Sequence, residues 1–165
     1  MPQPTVMDLK DVVIKFVDGS GTPKTLTLKM DEGNLTYSEK RNREYRLDRG
    51  IIDTVRDGDQ EPLEVSLQGR FSALTSDTGE DVTVTEFLRQ EGAASAHVTT
   101  ATDTCAPYAI DIVAERTNCG TVLDEVITFS EFRYEEIGGD FGAGQLSITG
   151  KCNAVKPTSI RTALS

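Results

Sequence analysis

Asp53, Asp57 and Asp59 crowd into one short stretch of the chain, and carboxylate oxygens of this kind suit a hard cation such as calcium. The stretch lacks the twelve-residue loop and closing glutamate of an EF-hand, so water-facing turn carboxylates are the expectation. Gly139, Gly142 and Gly144 resemble a phosphate-cradling loop only in spacing. They precede a strand pattern rather than a helix, and no lysine and hydroxyl follow them, so a turn is predicted. His97 is the sole histidine and has no acidic or thiol partner at metal-ligand spacing. Glu135 and Glu136 are adjacent, whereas glycosidase chemistry needs two carboxyls held apart across a cleft. No GxSxG elbow exists to build a hydrolase triad around. Catalytic residues, metal ligands and cofactors are therefore all expected to be absent.

Charge carries more information. Lys40, Arg41, Arg43, Arg46 and Arg49 form a basic-rich run, but Glu39, Glu44 and Asp48 dilute its field and disfavour sequence-specific DNA binding. The whole chain carries a formal net charge of -10, which disfavours adhesion to nucleic acid or an anionic membrane. Between Ala101 and Gly150 nine acidic residues face two basic ones, while Glu39 to Arg49 holds five basic and three acidic. One acidic region and one basic-rich projection can bring copies of a chain together through complementary faces; an ordinary salt-rich surface is the alternative.

These residues have to be positioned by strands, and Glu61 to Thr75 is the stretch that organises them. Leu63, Val65, Leu67, Phe71 and Ala73 share one parity and polar residues fill the other, the period of a strand buried on one side. Gly69 interrupts the apolar row, where a bulge or a close backbone approach is expected. Before it, the Asp57-Gly58 step favours a turn.

Leu9 to Val17 reads as a strand covered on both sides, since Val12, Ile14 and Phe16 alternate with Val13 and Val17. Asp18 to Pro23 is a turn cluster, and Leu26, Leu28 and Met30 continue as the return strand of a hairpin. Leu35 to Leu47 is predicted to be two short strands around a charged tip at Glu39 to Asn42, a projection that buries too little alone to offset its ordering. It should pack on something else, a neighbouring copy included, or else remain a solvent-facing loop. Ile51, Ile52 and Val55 in the next connection call for cover by the body or a partner.

Thr83 and Glu86 have capping-box spacing at the start of a short helix whose Val84, Phe87 and Leu88 form an apolar stripe, with Gly92 closing it. Later, Tyr108, Ile110, Ile112 and Ala114 alternate as a strand. Leu123, Ile127 and Phe129 are odd-numbered but Phe132 and Tyr134 even, so a bulge is predicted near Ser130-Glu131. A glycine-rich turn leads to a last strand through Leu146 and Ile148.

The tally of eight or nine strands and one helix predicts a mainly β fold: a β-sandwich or partly closed β-barrel with one short flanking α-helix and a projecting hairpin or long loop. The 165 residues fit a single domain, 1–165, with extended terminal arms at 1–8 and 153–165. Cys105, Cys119 and Cys152 are odd in number and lack metal-site spacing, so free, mostly buried thiols are expected, with one disulfide and one free cysteine as the alternative. Neither a signal peptide nor a membrane-spanning run is recognisable, so folding in the cytoplasm is expected.

The run GIIDTVRDGDQEPLEVSLQGRFSAL, followed by DVTVTEFLRQEG, resembles the tail tube proteins of tailed bacteriophages, and the late LSITGKCNAV looks like that family's closing strand. The resemblance spans Leu9 to Val155 in organisation and is concentrated in Gly50 to Gly92. It implies a non-enzymatic virion protein: a helix-flanked sandwich that forms homo-hexameric rings, stacked into a hollow tube. It also implies that Leu35 to Leu47 projects to a ring-to-ring contact and that Gly50 to Thr75 helps form an inter-subunit sheet.

On that reading Lys40, Arg41, Arg43, Arg46, Arg49, Ile51, Ile52 and Val55 are candidates for inter-subunit or stacking contacts. Asp111, Glu115, Asp124, Glu125 and Glu131 are candidates for an acidic lumen that discourages attachment of phosphate-bearing DNA. The implied partners are other copies of the chain, a tape measure protein and a tail tip or baseplate during tail assembly. Viral double-stranded DNA would pass without specific binding during genome ejection, and no membrane is involved. The implied location is the virion tail, after synthesis in the host bacterial cytoplasm. A tube-to-baseplate or other virion adaptor on a related fold, and an unrelated soluble binding module or enzyme, are the alternatives.

Overall fold

The computed structural model describes residues 12–73, 82–116, 124–140 and 142–162, and among these it is mainly β, with nine strands and one α-helix. Strand β1 (Val12–Val17) buries Ile14 and Phe16, and β2 (Thr25–Ser38) answers with Leu26 and Leu28. Asp18 fixes the loop between them. Its carboxylate accepts from the Lys24 amide at 2.6 Å, the Ser20 hydroxyl at 2.8 Å and the distant Val98 amide at 3.2 Å. A local turn is thereby tied to the far side of the fold.

After the hairpin formed by β3 (Arg41–Asp48) and β4 (Ile51–Gln60) comes β5 (Leu63–Ala73), with Leu63, Val65 and Leu67 fully inward. Helix α1 (Val84–Arg89) starts at the expected capping box: the Thr83 hydroxyl accepts from the Glu86 amide while the Glu86 carboxylate accepts from the Thr83 amide. Gln90, in the left-handed region at φ 57°, ends the helix two residues earlier than Gly92. The remaining strands are β6 (Ile110–Arg116), β7 (Asp124–Asp140), β8 (Gln145–Cys152) and β9 (Thr158–Thr162).

Two long strands make the architecture. β2 pairs with β1 through Thr25 to Leu28 and with β5 from Lys29 onward, with register shifts on either side of Met30. β7 pairs with β6 through Glu125 to Phe132 and with β8 from Phe132 to Asp140. Each strand therefore bends from one layer into the other. One layer is the start of β2, then β1, β6, the start of β7 and β9; the other is the end of β2, then β5, β8 and the end of β7. The result is a β-sandwich stitched along both sides. A single apolar cluster fills it, from Phe16, Ile112, Phe129 and Phe132 across to Leu63, Val65, Leu67 and Ile148, with Val84, Phe87 and Leu88 of α1 joining it.

Several expectations are corrected. Asp57-Gly58 is not a turn but lies within β4, where the shifted register between Arg41 and Arg43 takes up the glycine as a bulge. The bulge expected at Gly69 lies further along, where Ser72 of β5 and Asp31 of β2 are each an extra residue beside the Met30–Phe71 pair, while Gly69 keeps regular pairing with Gly33 and Leu146. β1 is covered on one side only, since Val13 is exposed. The segment expected as an arm from 153 includes β9, laid antiparallel on β7; the arm expected at 1–8 lies outside the described residues. Cys105 is exposed rather than buried, Cys152 is buried, both are free thiols, and Cys119 falls outside the described residues.

A candidate self-assembly surface

The β3–β4 hairpin stands apart from the sandwich as its own two-stranded sheet. Its turn is at Arg49-Gly50, not at Glu39 to Asn42. Both turn residues are left-handed, φ 50° and 82°, as a two-residue hairpin loop with the strands' own twist demands. The projection is accordingly 41–60, and Leu35 to Ser38 belongs to the end of β2.

The register sorts the hairpin's side chains. Tyr45 lies opposite Val55 and Leu47 opposite Ile52, because the register shift after Arg46 leaves Asp53 as an extra residue in β4. Cross-strand partners share a face, so Tyr45, Leu47, Ile52 and Val55 make one apolar stripe. Glu44 opposite Arg56, Arg46 opposite Thr54 and Asp48 opposite Ile51 make the other, mostly polar face. The four stripe residues are 52–62 % exposed. An amphipathic ribbon with its apolar face in water is the signature of an unfilled contact.

The basic candidates divide by position. Lys40, at the root, pairs with Glu64 of β5 at 3.1 Å, Arg41 with Glu39 at 3.0 Å, and Arg43 with Asp57 across the hairpin. Arg46 and Arg49, nearer the tip, have no ion-pair partner among the described residues. Ile51 sits beside the turn on the polar face, Ile52 and Val55 on the apolar one.

The acidic candidates do not form one lining. Asp111 and Glu115 share the outward parity of β6, and Asp124 has the same parity on β7, whereas Glu125 points the other way, with Ile127 and Phe129. Most are held inside the fold's own network: Glu115 pairs with Lys15 at 3.0 Å, Glu125 accepts from the Ser159 hydroxyl at 3.0 Å, and Asp111 accepts from the Glu131 amide at 2.9 Å. Asp124 is buried. Burial works to raise the Glu131 carboxyl's pKa, but hydrogen bonds from the Asn153 side chain and from Thr102, with Arg133 nearby, hold it below the usual carboxylate range.

The other chemistry-bearing residues take structural places. His97 is buried with its ring edge-on to Phe87, centroids 4.7 Å apart. Asp140 accepts from the Gly142 and Ala143 amides and so builds the glycine-rich turn. Among the described residues no group of three or more His, Cys, Asp or Glu side chains is placed to hold a metal ion.

Sequence reasoning expected an uncovered antiparallel edge but did not place it on particular strands. β5 is flanked by β2 and β8, so among the described residues of Gly50 to Thr75 only the hairpin keeps a free edge. Among the described residues, the second half of β2 pairs on one side with β5 alone, β7 beyond Phe132 with β8 alone and β9 with β7 alone, leaving further backbone edges without a partner strand. The parity change at Phe129 and Phe132 was the available signal for the β7 edge; nothing in the residue types marks the β2 edge. Comparison with known proteins finds no matching family model, no matching curated protein and no matching solved structure.

Proposed function

We propose that this chain is a non-enzymatic structural subunit of a bacteriophage tail tube, assembling with itself into hexameric rings that stack around a channel for the viral genome. The observation that carries the reading is the β3–β4 hairpin, whose apolar stripe is presented to water. Taking four half-exposed side chains out of water contributes roughly 1 kcal/mol each. A contact of that size is weak singly and is multiplied around a ring and along a stack. The unpartnered edges of β2 and β7 support the same reading, because an open antiparallel edge is a template for another chain. The sequence resemblance supplies the particular assembly, a tube, with a tape measure protein and a tail tip or baseplate as its assembly partners.

Within the tube, the acidic excess of the chain keeps the field negative and passage non-adhesive to DNA. Electron microscopy of the purified chain across a concentration series tests the proposal. Rings and hollow filaments of constant width are expected. A single closed ring that never stacks would instead identify a virion adaptor, and monomers at every concentration, even with seeding by preformed tail tips, would sink the reading.

A further inference from the structure

The hairpin's apolar stripe needs a counter-surface, and the sandwich carries one. On the outward side of the layer holding β1, β6, β7 and β9, Val13 pairs with Glu115, Glu115 with Val126, and Val126 with Ile160, so three aliphatic side chains lie along one cross-strand row. Val113 and Thr128 lie in the adjacent row. Val13 and Ile160 are 43 % and 55 % exposed, and the Glu115 charge within the row is already met by Lys15 at 3.0 Å. The row is therefore a half-apolar sheet face with its central charge compensated.

Charge decides which occupant fits it. Copies of a chain of net charge -10 repel one another, but the hairpin 41–60 holds five arginines against five carboxylates and contributes nothing to that excess. As a projecting element it meets another copy's acidic body without net repulsion, and among the described residues Arg46 and Arg49 near its tip have no ion-pair partner. Two apolar β faces pack flat against each other about 10 Å apart, the geometry of a sandwich interior.

We infer that the stripe Tyr45, Leu47, Ile52 and Val55 of one copy seats on the Val13–Val126–Ile160 row of another. The contact is heterologous: each copy donates a hairpin and receives one, so it propagates instead of stopping at a dimer. The inference rests on self-assembly as proposed above and specifies which face of the neighbour is used.

The test mixes two singly substituted proteins, Leu47→Cys and Ile160→Cys, in a background with Cys105 and Cys119 changed to Ser, and treats them with a bis-maleimide whose span matches the roughly 10 Å between packed β faces. Both positions are more than half exposed, so neither change disturbs the fold. The expected result is a cross-linked pair in the mixture at least tenfold above either protein alone, and a ladder of multimers from the doubly substituted chain. Cross-linked dimers of Leu47→Cys alone would show hairpin meeting hairpin and overturn the inference. Rings or filaments of normal width without the mixed cross-link would overturn it and leave the tube reading standing. Absence of any assembly would overturn both.

Discussion

Phe129 and Phe132 lie three positions apart on β7, and both face the core. A plain strand would send them to opposite sides. Glu131 between them takes a left-handed backbone, φ 52°, and the extra residue lets Ile112 oppose Phe129 while Ile110 opposes Phe132. The same residue anchors its surroundings: its carboxylate accepts from the Thr102 amide and hydroxyl and from the Asn153 side chain, and its carbonyl accepts from the Asn153 amide. Glu131→Ala keeps the left-handed strain and loses the carboxylate bonds, so it is expected to cost about 2 kcal/mol. Glu131→Gly loses the same bonds but relieves the strain, and should cost less by about 1 kcal/mol. Urea unfolding reads both; a glycine variant less stable than the alanine one would refute this account of the bulge.

Gly150 pairs with Val65 on one side and Tyr134 on the other, and a Cβ there would overlap the Arg133 carbonyl oxygen and meet the Phe132 ring at 2.8 Å. Backbone cannot step aside as a flexible side chain can. Gly150→Ala is expected to lose about 3 kcal/mol. Gly138, where an added Cβ meets nothing within 4 Å, is the control, and Gly138→Ala should stay within about 0.5 kcal/mol of the wild type. Equal effects at the two sites would contradict the packing described for β7 and β8.

The Asp18 carboxyl gives the fold an acid-sensitive tie. Burial alone would raise its pKa, but donors from the Lys24 amide, the Ser20 hydroxyl and the Val98 and Ser20 amides outweigh that and hold it below the usual carboxylate range. Because the folded value is the lower one, the stabilisation is complete above the unfolded value of about 3.9 and drains away as pH falls through the folded value. Asp18→Asn cannot accept from all these donors, so it should be less stable than wild type by about 2 kcal/mol at pH 7. The gap should narrow below about pH 4. Thermal unfolding between neutral and strongly acid pH measures it, and a constant gap would count against the assignment.

Much of this was legible in the residues because it is written in short periods. Alternation in Leu63 to Leu67, the Thr83–Glu86 cap and the parity break before Phe132 each depend on neighbours a few positions away. What was not legible depends on pairing. The Asp57-Gly58 step has the chemistry of a turn, yet Arg49-Gly50 took the turn, because only that choice sets Tyr45 against Val55 and Arg43 against Asp57. Similarly, the acidic candidates on β6 and β7 interrupt strand patterns in the most negative region, and register alone places Glu125 on the opposite side from Asp111 and Glu115.

Cys105 and Cys152 should separate by reactivity. Cys105 is exposed, whereas burial, with the Asp111 charge adding to it, pushes the Cys152 thiol up to about 12. Since the thiolate is the reactive form, a disulfide reagent at pH 8 should label Cys105 within minutes in a Cys119→Ser background. Cys152 should label only on unfolding. Prompt reaction of both in the native protein would disprove the placement of β8.

The hairpin separates assembly from folding. Leu47 and Ile52 already lie in water in the single chain, so exchanging both for serine removes little that holds the monomer together. If the stripe is a contact, burial of these two side chains is lost in every copy, about 2 kcal/mol, and the concentration at which rings and filaments appear should rise roughly thirtyfold. The monomer's thermal midpoint should move by less than about 2 °C. Leu63→Ala must behave in the opposite way, because Leu63 is fully buried on β5 beneath the hairpin's root: about 3 kcal/mol of monomer stability goes first, and assembly fails only as a consequence. Light scattering for assembly and calorimetry for the monomer, run on the same three proteins, distinguish the two patterns. A Leu47→Ser, Ile52→Ser chain that assembles at the wild-type concentration would show that the exposed stripe is not where copies meet.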